Sequence, residues 1–157
     1  MKVDLSIDTR RLQANLQKTQ RQLPRAIKKA LMQTAQFGTN IILDRTEQGF
    51  GYEGRFKSYS AAYRAQKSKG WSSSKASAKN YRPAFGGDSS GVVNLNVTGK
   101  MLASIKSKYV SKGVAEIYFS RASEAKKAAF NNELRPFFGF NAREQNRLAK
   151  FFQGRLK

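Results

Sequence analysis

An apolar stripe at helical spacing constrains this chain before anything else. Leu12 and Leu16 share one helix face, and Leu23 falls seven residues further on. Ala26, Ile27, Ala30, Leu31, Thr34, Ile41 and Ile42 carry the stripe to about Arg45. The pattern predicts a helical segment of roughly 35 residues, bent or restarted at Pro24. Gly38 is a weak point within it, costing about 1 kcal/mol relative to Ala. Ahead of the stripe, Val3, Leu5 and Ile7 alternate with polar residues as a short half-buried strand does, and Asp8 or Thr9 caps the helix.

The character changes at Gly49. From Gly54 to Gly87 there are eight basic residues, Arg55, Lys57, Arg64, Lys67, Lys69, Lys75, Lys79 and Arg82, and no acidic one. Phe56, Tyr59, Tyr63, Trp71 and Tyr81 are interleaved with them. Ser60 caps a short helix carrying Tyr63. The stretch from Gly70 to Ser90 has little to bury and reads as one long loop. Val92 to Val97 is β-prone. Thr98 starts a short helix bearing Met101, Leu102 and Ile105. Tyr109-Val110 and Val114 to Phe119 form a hairpin turning at Ser111-Lys112-Gly113. Ser123 to Phe130 is an Ala-rich helix, and Arg135 to Phe140 is a short extended aromatic piece. Asn141 with Glu144 opens a final helix in the manner of a capping box. Strands and helices mix without βαβ alternation, so the fold class is α+β. The arrangement expected is a long N-terminal helical segment on a small, mainly antiparallel sheet, with a long basic loop and a C-terminal helix. At 157 residues, one domain is expected.

The chain has no histidine and no cysteine. The commonest general base, the commonest metal ligand and every thiolate site are therefore missing. No cofactor is expected. Asp44, Glu47 and Glu53 could together hold Mg²⁺ in a nuclease, or could pair with Arg45, Arg55 and other bases on the surface. Gly49-x-Gly51-x-x-Gly54 has the spacing of a dinucleotide loop but not its strand-to-helix context. The first eight residues do not form a secretory signal, because Asp4 and Asp8 interrupt them. No apolar run approaches the roughly 20 residues that span a bilayer, so no membrane partner is expected.

Thirty Lys and Arg face ten Asp and Glu, a net charge of +20. Such a chain seeks polyanions: nucleic acid, acidic protein surfaces or anionic membrane. In the Arg55–Arg82 window, the bases could neutralise phosphates while the aromatics stack. Phe56, Tyr59 and Tyr63 read rather as core or subunit-interface anchors. Phe137, Phe138 and Phe140 divide in the same way between a surface patch and core.

Four pieces in this order resemble the tail-completion, or virion-morphogenesis, family of small neck proteins in long-tailed phages. They are the long helix ending in Asp44-Arg45-Thr46, and Phe56-Lys57-Ser58-Tyr59-Ser60-x-x-Tyr63 with Lys67 and Lys69. The third is Leu95-Asn96-Val97-Thr98-Gly99-Lys100-Met101-Leu102-x-Ser104-Ile105. The fourth is Arg135-Pro136-Phe137-Phe138-Gly139-Phe140 with the helix after it. Between Tyr118 and Glu133 the chain departs from many relatives, which carry a His-x-x-Gly stretch there. The resemblance implies a structural virion protein that catalyses nothing. It would close a ring of about six copies at the head–tail joint, next to connector or adaptor and tail-terminator rings. Duplex DNA would pass through the ring's channel. The Thr98 helix and the Arg135–Phe140 segment would serve as interface or core. The alternative is a stand-alone basic nucleic-acid-binding protein with a steep salt dependence.

Overall fold

The computed structural model describes residues 10–70, 90–96, 98–111 and 113–156. The expected strand at Val3–Ile7 and its cap lie outside these residues. So do Trp71, Lys75, Lys79, Tyr81 and Arg82 of the basic window.

Helix α1 (Arg10–Glu47) is continuous, with Pro24 inside it. No second helix begins at Pro24. Two short antiparallel strands follow, β1 (Phe50–Gly51) and β2 (Gly54–Arg55). Helix α2 (Ala61–Lys69) and the short α3 (Lys100–Ala103) precede a hairpin of β3 (Ile105–Ser111) and β4 (Val114–Phe119). Helices α4 (Ala122–Leu134) and α5 (Ala142–Arg155) complete the described chain. The α+β class holds, with α1 packed on a small antiparallel sheet.

Helix α1 lies against both strands of the β3–β4 hairpin and against α5. Its buried positions include Ala30, Ala35, Ile41 and Ile42, which continue the stripe read from the sequence. Thr34 and Thr39 turn their hydroxyls back onto the carbonyls of Ala30 and Ala35, at 2.8 and 3.1 Å. This satisfies two polar groups that the packed face would otherwise strand. Gly38 proves to be a close-packing point. A Cβ there would stand 2.9 Å from Phe140 Cζ and 3.1 Å from Ile117 Cδ1. Its missing side chain is what lets α5 and β4 approach α1 together.

The core joins Ile42, Phe56, Leu95, Met101, Leu102, Ile105, Ala128 and Phe137. Phe137 is fully buried, with Phe119 edge-on at 6.4 Å. Phe138 and Phe140 pack against the same cluster, so the aromatic run is core.

Two expected elements are corrected. Val92–Val97 is not a strand over its described part, residues 92–96. Leu95 there adopts φ 52°, which no extended strand permits. The Thr98 helix spans only Lys100–Ala103, with Gly99 as its left-handed N-cap and no side-chain cap. Ile105, expected on that helix, is the first residue of β3 and pairs with Phe119. Strand β3 thus starts four residues earlier than Tyr109. The hairpin register shifts between Tyr109 and Ser111, where Val110 is the extra residue.

Candidate functional site

The second motif segment is organised around Tyr59. Ser60 caps α2, its hydroxyl accepting the Tyr63 amide at 3.2 Å. This fixes the first turn and brings Tyr63 over Tyr59, ring centroids 4.7 Å apart. The Tyr59 hydroxyl accepts the amide of Leu95 at 3.2 Å. Since Leu95 is buried in a left-handed conformation, its amide needs such a partner.

Two cations flank the same ring. Lys67 Nζ lies 5.1 Å from the Tyr59 centroid and donates to Asn94 Oδ1 at 2.7 Å. The Arg135 guanidinium lies 4.9 Å from that centroid. Arg135 also donates to the carbonyls of Lys57 and Ser58, at 3.1 and 3.4 Å. Cation–π contact and hydrogen bonding therefore tie the second, third and fourth motif segments to one side chain.

Beside this junction lies an open groove of about 590 Å³. It is lined by Tyr59, Ser60 and Tyr63, by Leu95, Thr98, Gly99 and Met101, and by Glu124, Lys127, Phe130, Asn131, Leu134 and Arg135. Phe130 and Leu134 are one turn apart on α4 and are 64% and 51% exposed. Tyr63 faces the same space at 37% exposure. Burial pushes the Tyr63 phenol above its ordinary pKa of 10.0, and the Arg135 charge pulls the other way. Glu124 is buried in the groove wall and accepts Lys127 Nζ at 2.9 Å. Three large apolar or aromatic side chains thus stand exposed at the edge of a polar-rimmed groove.

The groove's frame is set from behind by Arg45. It pairs with Glu144 and donates to the carbonyls of Phe137 and Gly139 at 2.6 Å each. Glu144 also closes the capping box of α5 with Asn141. Asn132 Oδ1 accepts the amides of Phe137 and Phe138 at 2.9 and 2.8 Å. The Arg135–Phe140 segment is thus held at both faces. Arg45 does not serve Asp44 or Glu47 as a surface partner. Its carboxylate lies on α5, 99 residues away.

The basic window divides. Arg55, Lys57, Arg64 and Lys69 are exposed, and Arg55 rests over the Phe50 ring at 6.0 Å. Lys67 is 2% exposed and does not belong to a polyanion-binding surface. Its ammonium is held by Asn94 and the Tyr59 ring. Of the interface-or-core residues, Phe56, Met101, Leu102, Ile105 and Phe137 are core. Tyr59, Tyr63, Thr98, Gly99 and Arg135 line the groove. Pro136 and Phe138 are half-buried beside it in sequence. Sequence reading missed Phe130, Leu134, Asn132 and the reach of Arg45.

Among the described residues, no group of three or more Asp or Glu side chains is placed to hold a metal ion. Asp44, Glu47 and Glu53 therefore do not gather as a nuclease site requires. Among the same residues, no helix is long and apolar enough to cross a membrane. No family model, curated protein or solved structure matches this chain.

Proposed function

We propose that this chain is a structural subunit of a tailed-phage neck, a tail-completion or head–tail connector protein. It closes a ring with copies of itself between connector and tail-terminator rings, lines or seals the DNA passage, and catalyses no reaction. The observation that carries this reading is the groove. Residues from three of the four motif segments converge on it, and Tyr63, Phe130 and Leu134 stand exposed at its edge.

A ring needs two different patches that meet in head-to-tail fashion. The groove is one. The tip of the β3–β4 hairpin supplies the other, with Val110 and Val114 exposed at 52% and 48%. Seven residues of β3 carry that tip about 20 Å from α3, at roughly 3.3 Å per residue. Groove and tip are therefore separate, one concave and one convex. In this reading the tip of each subunit enters the groove of the next.

The net charge of +20 also favours a second reading, a free basic protein that coats nucleic acid. Mass in solution across a salt series, with and without duplex DNA, separates the two. A closed oligomer, or a monomer that enters rings only with head and tail components, supports the neck subunit. A monomer that coats DNA and never enters a particle supports the alternative.

A further inference from the structure

The exposed bases of the Arg55–Lys69 region are not the only cationic surface among the described residues. From Arg10 to Leu43, α1 contains no acidic residue. Lys18, Arg25 and Lys29 recur at helical spacing on one exposed face of it. Helix α5 runs antiparallel to α1. Arg45 meets Glu144, Gly38 faces Leu148, and Phe37 stacks on Phe151 at 4.6 Å. The only acidic residue of α5, Glu144, is buried and occupied by Arg45. Arg143, Arg147 and Lys150 are left exposed along one face of that helix.

Arg147 joins the two helices. Its guanidinium lies 5.6 Å from the Phe37 ring, so it crosses from α5 onto α1. An arginine laid on a ring keeps its charge at the surface while giving up rotamer freedom in advance. Lys18, Arg25 and Lys29 thus follow one line along α1, while Phe37 and the Arg147 laid on it sit about a quarter turn around the helix. From Lys18 to Lys29 that line is about 16 Å, at 1.5 Å per residue. Among the described residues, none of these four bases forms an ion pair.

We infer that the α1–α5 face binds the phosphate backbone of duplex DNA, independently of base sequence. The row of about 16 Å along α1 covers roughly five base pairs at 3.4 Å each, and the bases of α5 add to it. The cations of the face suit phosphate contact. An acidic protein surface is the competing occupant. The row favours DNA because, from Lys18 to Lys29, that face carries no acidic residue and no large apolar anchor of the kind protein interfaces use at their centres. The inference stands whether or not the chain closes rings.

The test is fluorescence anisotropy of a labelled, arbitrary-sequence 20-bp duplex with the full chain, titrated across salt concentrations. Three proteins are compared: wild type, R25Q/K29Q/R147Q, and K57Q/R64Q from the opposite candidate region. Circular dichroism checks that each is folded. The α1–α5 variant is expected to bind more weakly, with a salt slope shallower by about three. The K57Q/R64Q variant should keep nearly the wild-type slope. If the α1–α5 variant keeps the wild-type slope, or only K57Q/R64Q loses it, the inference fails. Wild type that binds poly-glutamate but not duplex would also overturn it, in favour of an acidic protein partner. Ring formation is read separately by mass, so its failure is not confused with loss of DNA binding.

Discussion

Arg135 lies over the ring of Tyr59 at 4.9 Å, joining residues 76 positions apart in the chain. The contact fastens the segment before α2 to the end of α4. Arg135 does so with a planar fork that also reaches two backbone carbonyls. Lysine cannot reproduce that fork. Arg135→Lys should therefore lower stability by about 1 kcal/mol and loosen the groove. Urea unfolding reads the first effect. Oligomer mass at limiting concentration reads the second.

Tyr59→Phe keeps the ring and removes the hydroxyl that accepts the Leu95 amide. A buried amide then loses its partner, at a cost of about 1–3 kcal/mol. A variant as stable as wild type would show that Leu95 does not depend on Tyr59.

Arg45→Ala should be among the most damaging polar substitutions. It strands Glu144 and the carbonyls of Phe137 and Gly139 together. The expected loss is about 3–5 kcal/mol, as for removal of one partner from a buried pair. Chemical denaturation measures it directly.

Tyr63 gives the protein a pH signature. Its phenol is held above 10.0, mainly by burial, so the folded state keeps the proton that the unfolded chain begins to release near that pH. Above pH 10 the unfolded chain therefore binds fewer protons, and the unfolding free energy falls as pH rises. Tyr63→Phe should flatten that decline. Arg135→Gln should move the phenol's absorbance titration still higher, because the charge that lowers it is gone. An unchanged titration would contradict the placement of Arg135 beside Tyr63.

Gly38→Val tests the α1 crossing. Atoms of Phe140 and Ile117 already occupy the space of the first added carbon. Overpacking should cost about 1–3 kcal/mol. A gain in stability, as helix propensity alone would suggest, would show that α5 and β4 yield easily.

Local chemistry was the most legible part of the sequence. The Ser60 cap and the Asn141–Glu144 capping box depend on residues three apart, and both form as read. The α1 stripe was equally clear from Ile27 to Ile42, where its positions are wholly or partly buried, but Leu23 and Ala26, read as part of it, are exposed. Val92–Val97 misled because propensity cannot sense the turn imposed at Leu95, where tertiary bonds hold a left-handed residue. Ile105 misled because the Met101, Leu102 and Ile105 spacing fits a helix, while the chain leaves the helix at Ser104. Lys67 was invisible among its basic neighbours, since only the fold brings Asn94 to it. Phe130 and Leu134 read as ordinary helix residues. Their exposure depends on where α4 meets α3, which no local pattern encodes.

The central claim is that groove and hairpin tip meet between copies. Sedimentation velocity of four samples tests it most directly: wild type, F130S/L134S, V110S/V114S, and an equimolar mixture of the two variants. All four substituted positions are largely exposed, so folding should be little affected. The account predicts a closed oligomer for wild type, monomers for each variant alone, and a one-to-one dimer for the mixture. Each variant retains the patch that the other lacks, and the dimer cannot grow further. Variants that assemble like wild type, or a mixture that stays monomeric beside an oligomeric wild type, would contradict it.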